Sequence, residues 1–182
     1  EPLRVRVRDV VQDFLEYATQ SVTGRDGRST DLWGSPRDWV AHPHGTVQVL
    51  SSSKDEDYMR RLYQSVDAVV IPSRGEGWGR PHMEAMAMGL PLIATNWSGT
   101  TAFMTDTNSY PLSIDGLVPV HRLFRLAGHQ WAQPNVTHLR QLMRAVYTDQ
   151  ETAKAKGRRA QQDMRRYDIP KVEAQVEARL EA

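Results

Sequence analysis

The segment Asp67-Ala-Val-Val-Ile71 is apolar at every position after its aspartate, and a second short apolar run, Pro91-Leu-Ile-Ala-Thr95, follows one glycine-rich loop and one helix-length segment later. A strand with one wet face alternates. A strand without alternation must be covered on both faces, as in a parallel sheet between helices. Pro72-Ser-Arg-Gly75 closes the first run, a helix is predicted from Pro81 to Met88 with Gly89 as its stop, and the loop Asn96-Trp-Ser-Gly-Thr100 leaves the second. Upstream, Thr46 to Leu50 reads as a strand and Ser51 to Ser53 as a loop. Lys54 to Ser65 reads as a helix turning Tyr58, Met59, Leu62 and Val66 inward. The series is βαβ, and the expected class is α/β, a partial Rossmann-like parallel sheet flanked by helices.

The flanks are less regular. Val7, Val10, Val11, Phe14, Leu15 and Ala18 keep helical spacing, predicting a helix from Val5 to Thr19. Residues 21–45 read as a long loop rich in Gly, Ser, Pro, Asp and Arg. Ser109 to Ile114 is expected as one more strand and Asp115 to Pro134 as irregular. Residues 136–182 are expected to be helices: one with the stripe Leu139, Leu142, Met143, Val146 and Tyr147, a charged one near Thr152 to Arg166, and one from Lys171 to Leu180 packing Val172, Val176 and Leu180. The whole, 1–182, is expected to be a single domain.

Charge and composition narrow the function. With 23 Lys and Arg against 22 Asp and Glu the formal net charge is +1, so the footprint of a nucleic-acid binder is missing and any anion must be gripped locally. The absence of cysteine removes disulfides, thiolate nucleophiles and Cys-based zinc sites. No apolar run approaches the roughly 18 residues of a membrane span, and the expected location is the cytoplasm. His42 and His44 lack a third ligand nearby, and His82 and Glu84 point to different sides of a helix, so no metal is expected. Arg158, Arg159, Arg165 and Arg166 read as a solvated helix face, with peripheral contact to anionic lipid as the alternative.

The stretch Gly75 to Glu84, GEGWGRPHME, concentrates glycine where a strand ends and a helix begins. Ligands of open α/β sheets bind at such carboxyl ends. Proline at the first helical position leaves the amides of His82 and Met83 free, and with the amides of the glycine loop they form the positive end of a helix dipole, suited to phosphate. Glu76 and Glu84 are acceptors only, suited to hydroxyl groups of a sugar or ribose. The ligand so described is a phosphorylated sugar or nucleotide sugar. The competing reading is structural: Glu84 complements the dipole, Glu76 pairs with Arg74 or Arg80, and the glycines form a tight turn. Ser98, Gly99 and Thr100 offer amides and a hydroxyl to a ligand, or cap a following helix. Trp97 walls the cleft or only packs, and Ser52 is a candidate contact for a nucleobase.

The stretch LYQSVDAVVIPSRGEGWGRPHMEAMAMGLPLIATNWSG closely resembles the donor-site motif of retaining, GT-B-fold glycosyltransferases of the family 4 type, in which seven residues separate two glutamates, as they do Glu76 and Glu84. The likeness continues through NSYPL, HQWAQP and LRQLMRAVY, covering most of residues 46–166. It implies the C-terminal, donor-binding half of a GT-B fold. Glu76 would contact the transferred sugar and Glu84 the ribose. Gly75, Gly77, Trp78, Gly79, Arg80, Pro81 and His82 would line the sugar and diphosphate, with Arg74 nearby. The reaction implied is sugar transfer from a UDP- or GDP-linked donor to an acceptor hydroxyl, without cofactor or metal. Two departures stand out: no counterpart of the family's arginine and lysine diphosphate clamp is identified, and Ala102 replaces a frequent glutamate. The expectation is therefore a donor domain truncated at its N-terminus, lacking the acceptor-binding domain and inactive alone. The alternatives are a non-catalytic nucleotide-sugar-binding module and a GT-B-fold epimerase.

Overall fold

The computed structural model describes residues 39–42, 45–48, 55–120 and 128–181. The chain divides into two compact units, Glu1–Met59 and Arg60–Ala182. In the first, β1 (Trp39–His42) pairs antiparallel with β2 (Gly45–Gln48), with Val40 opposite Val47. Residues 39–42 and 45 are therefore strand, not part of a loop over 21–45. β2 forms a separate two-stranded sheet with β1 instead of joining the parallel sheet. Trp, Val and Thr favour strands, but four residues between Gly- and Pro-rich flanks are too few to show a period. The predicted helix from Val5 to Thr19, residues 49–50 of the strand predicted to end at Leu50, and the Ser51 to Ser53 loop with Ser52 lie outside the described residues. Helix α1 (Glu56–Gln64) begins where Asp55 Oδ1 accepts the Tyr58 amide at 2.7 Å.

The second unit is built on a parallel sheet of β3 (Val69–Ile71), β4 (Leu92–Thr95) and β5 (Tyr110–Leu112), in that order. All four residues of β4 are buried, as a central strand covered on both faces requires, whereas β3, at the edge among the described strands, is half-buried. Between β3 and β4 runs α2 (Arg80–Ala87), ended by Gly89 in the left-handed region at φ +76°. Residues 114–134 were expected to be mostly irregular but contain β6 (Ile114–Pro119) and β7 (Gln130–Pro134), paired antiparallel. A register shift between Ile114 and Leu117, with Gly116 at φ +130°, places an aspartate and a glycine inside the strand, so that IDGLVP imitates a turn.

Three helices complete the unit. Asn135 caps α3 (Val136–Thr148) and Asp149 caps α4 (Gln150–Met164), each through its side-chain oxygen. A 3-10 turn, Arg165–Tyr167, then leads into α5 (Ile169–Leu180). The expected packing of α5 is not seen: Val172, Val176 and Leu180 are all exposed, and among the described residues no side chain of this helix is buried. On α3 only Leu139 of the stripe is fully buried, and Tyr147 stands in solvent. Two of the arginines read as a solvated face have partners, Arg159 on Asp163 at 3.0 Å and Arg166 on the Ala102 carbonyl at 3.3 Å. No helix among the described residues is long and apolar enough to cross a membrane.

The contact that orients α2 is backbone on backbone. A methyl group on Gly157 of α4 would stand 2.1 Å from the Gly89 carbonyl oxygen, and Gln161 Nε2, one turn on, donates to the Ala87 carbonyl at 3.0 Å. Gly157→Ala is therefore expected to destabilise the protein by about 2 kcal/mol, although alanine is the better helix former by about 1 kcal/mol. In thermal unfolding the midpoint should fall by roughly 4–8 °C; an unchanged or raised midpoint would remove this contact from the account.

Candidate functional site

The glycine loop leaves β3 at its carboxyl end, and the loop after β4 lies against it. One atom joins them: the Glu76 carbonyl oxygen accepts the Gly99 amide at 3.0 Å and the Ser98 hydroxyl at 2.8 Å. The approach leaves no room for a side chain, since a methyl on Gly99 would stand 2.3 Å from the Gly77 oxygen. Ser98 adopts φ +67°, a left-handed conformation that a non-glycine residue holds at a cost of about 1–2 kcal/mol. Its hydroxyl bond to Glu76 compensates. Thr100, buried behind it, donates its hydroxyl to the Thr95 and Trp97 carbonyls, and the segment Ser98–Ala102 forms a 3-10 turn. The hydroxyls of Ser98 and Thr100 are thus occupied by backbone, and neither caps the turn.

The loop enters α2 through Gly79, the N-cap residue, at φ +96°. Arg80 is then the first helical residue and Pro81 the second, one later than expected. The amides of His82 and Met83 are not free: both donate to the Gly79 carbonyl at 3.1 Å. Just upstream, the amides of Gly77, Trp78, Gly79 and Arg80 have no hydrogen-bond partner among the described residues. Those of Gly79 and Arg80 stand at the positive pole of α2, with no acidic side chain in its first turn.

Glu84 lies beyond that turn, where a dipole has little hold on it. Its carboxylate instead accepts the hydroxyl of Tyr63, from α1, at 3.2 Å. Burial first, and the Glu84 charge second, push the Tyr63 hydroxyl up to about 12, so it remains a donor throughout the neutral range. Glu76 is half-buried, and among the described residues it forms no ion pair with Arg74 or Arg80. Both structural alternatives for the glutamates therefore lose their contacts. Arg74 itself lies over the Trp131 ring at 4.9 Å, and its carbonyl accepts the Ala132 amide of β7 at 2.9 Å.

His82 is wholly buried, and its ring supports the glycine loop from beneath. The ring packs beneath Gly79, where an added methyl would come within 2.9 Å of Nδ1 and equally close to the Thr100 methyl. Neither ring nitrogen has a hydrogen-bond partner, and burial lowers the affinity of the ring for a proton while Glu76 partly restores it. Trp78, exposed at the loop tip, packs at a tilt against Phe103 and edge-on against Tyr167 of the turn before α5, with ring centroids 5.7 and 5.8 Å away. Trp97 is also exposed. No group of three His, Asp or Glu side chains among the described residues is arranged to hold a metal ion.

Sequence reasoning missed Tyr63 and Tyr167. Tyr63 lies four residues after Met59 and three before Val66, so helical spacing placed it on the inward face. Nothing local signals Tyr167, whose partner is 89 positions away in sequence (167 − 78).

A parallel α/β unit with helices on the sheet and a glycine loop opening a helix at its carboxyl edge is the architecture of one half of a GT-B glycosyltransferase. The family described as "Family 4 Glycosyltransferase in conflict systems" matches residues 20–175, and the chain belongs to it. It is 34% identical over 84 residues to a glycogen [starch] synthase of Caenorhabditis elegans, a match covering 43% of this chain and 12% of that protein. It is 38% identical over 58 residues to a D-inositol 3-phosphate glycosyltransferase of Corynebacterium urealyticum, covering 32% of this chain and 13% of the relative. Among solved structures, the C-terminal domain of a group 1 glycosyltransferase, LpcC of Francisella tularensis, superposes with a TM-score of 0.54 at 18% identity, over 90% of this chain and 66% of that one. Anabaena HepE, solved with UDP and glucose, superposes with a TM-score of 0.53 at 18% identity, over 67% of this chain and 29% of that one. The chain thus spans about an eighth of the length of these curated relatives.

Two glycines of the site separate packing from mere flexibility. Gly99→Ala should drive the two loops apart and destabilise the protein by about 1–3 kcal/mol. Gly75→Ala, with nothing within 4 Å of the added methyl, should change stability by less than about 1 kcal/mol in either direction. Denaturant midpoints measure both, and equal effects would show that the loop-to-loop contact is not the constraint described.

Proposed function

We propose that this chain holds a nucleotide-diphosphate sugar whose sugar is transferred, with retention of configuration, to an acceptor hydroxyl. One observation carries the reading: the unpartnered amides of Gly77, Trp78, Gly79 and Arg80 lead into the positive pole of α2, with Glu76 and Glu84 on either side of them in sequence. Fixed N–H groups at a helix N-terminus favour a diphosphate. Carboxylates favour hydroxyls, and Tyr63 steadies Glu84 for a ribose while the unpaired Glu76 is available to the transferred sugar. Membership of a glycosyltransferase family supports the activity. HepE, crystallised with UDP and glucose, supports a nucleotide-sugar donor and puts UDP-sugars first, with GDP-sugars second.

In the step itself, the bond between the anomeric carbon and the diphosphate oxygen breaks, and the acceptor oxygen forms its bond on the same face. The acceptor proton passes to the departing diphosphate. The loop amides and the pole of α2 meet the charge that develops on that leaving group. Unlike a glycosidase pair, the two glutamates hold the donor and do not flank the bond being cut. Acceptor binding is assigned to a part of a longer protein beyond this chain.

Glu84→Ala is expected to weaken a UDP-sugar and UDP itself alike, by about tenfold or more, the value of a hydrogen bond to a charged group. Tyr63→Phe should weaken both several-fold by releasing Glu84, and Glu76→Ala should weaken the UDP-sugar while sparing UDP. Calorimetric titration of the full-length protein measures all three. If no UDP- or GDP-sugar binds, the donor assignment is wrong.

A further inference from the structure

His82 combines three properties that rarely meet: complete burial, two ring nitrogens without a partner, and a place in the first turn of a helix whose preceding amides are themselves free. A buried polar group left unsatisfied is destabilising, and a hydrophobic side chain would fill the same space without that cost. Orphaned groups of this kind call for a functional explanation. The packing sets the loop backbone on the ring. Gly79, whose own amide is unpartnered, rests directly on the imidazole, with Nδ1 toward it.

The charges around the ring are few. From the glycine loop it feels Glu76. The 3-10 turn presents the uncharged Thr100 methyl, and α4 meets the C-terminal end of α2 through Gly157 and Gln161, also uncharged. On its own helix Arg80 and Glu84 stand two residues to either side. Among the described residues the one charge acting on the imidazole is that of Glu76, and Arg74 is engaged with Trp131.

Resting on the donor reading above, we propose that His82 takes up a proton when a nucleotide-diphosphate sugar seats on the amides of residues 77–80, becoming the buried cation of the diphosphate site. It acts as a positioning residue through Gly79, without touching the donor. The sign is fixed by linkage. In the free protein the ring is held below its ordinary range by burial; a dianion seated above Gly79 favours the charged form and raises it. Between those two values the complex binds more protons than the free protein, so affinity rises as pH falls, by at most tenfold per unit for one proton.

The test is calorimetry of the full-length protein with UDP-glucose and GDP-mannose, whose diphosphates have no proton to lose near neutrality, in buffers of different ionisation enthalpy between pH 5.5 and 8. Expected is uptake of a fraction of a proton per donor bound, fading toward pH 8, and absent in His82→Phe and His82→Gln. Ring-selective NMR of the unaltered protein gives the same answer without a variant: the His82 midpoint should rise on saturation with donor. Binding without proton uptake, uptake that persists in both variants, or an unmoved His82 midpoint would each overturn the proposal and leave the donor assignment standing. Failure of every UDP- and GDP-sugar to bind would overturn both.

Discussion

A single carbonyl oxygen, that of Glu76, holds the glycine loop and the loop after β4 together. A loop with glycine at positions 75, 77 and 79 has unusual backbone freedom, and ordering it is entropically costly, on the order of 1–2 kcal/mol per residue. Two hydrogen bonds contribute roughly 2 kcal/mol net, about what the left-handed Ser98 costs. Their effect is therefore geometric more than energetic. They hold two neighbouring loops at one separation, and Gly99 makes that separation possible because no side chain fits between its Cα and the Gly77 carbonyl.

The loop would still aim its amides nowhere in particular if α2 were free to tilt. A helix of eight residues has little stability of its own. Its direction comes from both ends: Gly79 and the ring of His82 at the start, and the Gly89 carbonyl pressed on Gly157 of α4 at the finish. β4, buried along its whole length, anchors the unit from below. The positive pole of α2 is thus aimed by contacts among glycines that contribute almost no apolar burial, which is why a single added methyl is disruptive there.

Much of this was legible in the sequence, and what was not shares one cause. The apolar run 91–95, the glycine loop, the helix it opens and the spacing of the two glutamates are local patterns, and local patterns survive in sequence. The partners of those residues do not. Tyr63 reaches Glu84 across 21 positions and the Glu76 carbonyl is joined to Ser98 across 22, and neither pairing follows from any period. β6 was missed for a different reason, because its bulge inserts Asp115 and Gly116 where strands rarely carry them. Of the amides expected to be free, those of His82 and Met83 are not, since a glycine N-cap moved the helix start back to Arg80 and turned them onto Gly79.

These corrections alter how an anion would be held. With the His82 and Met83 amides consumed inside the helix, recognition shifts to the loop backbone, where geometry is set by the Glu76 lock and by Gly79 in its left-handed turn. Two nearby arginines serve the scaffold: Arg74 covers Trp131, and Arg166 ties the second loop to the turn before α5 while lying over Tyr167. Trp78 joins the same turn through Tyr167, so the glycine loop is held from the sheet side by Glu76 and from the helix side by an aromatic contact. Fixed dipoles would recognise the shape of an anion before its charge, because amides lose force steeply when misaligned. The concentration of close backbone contacts around residues 76–99 follows from that requirement.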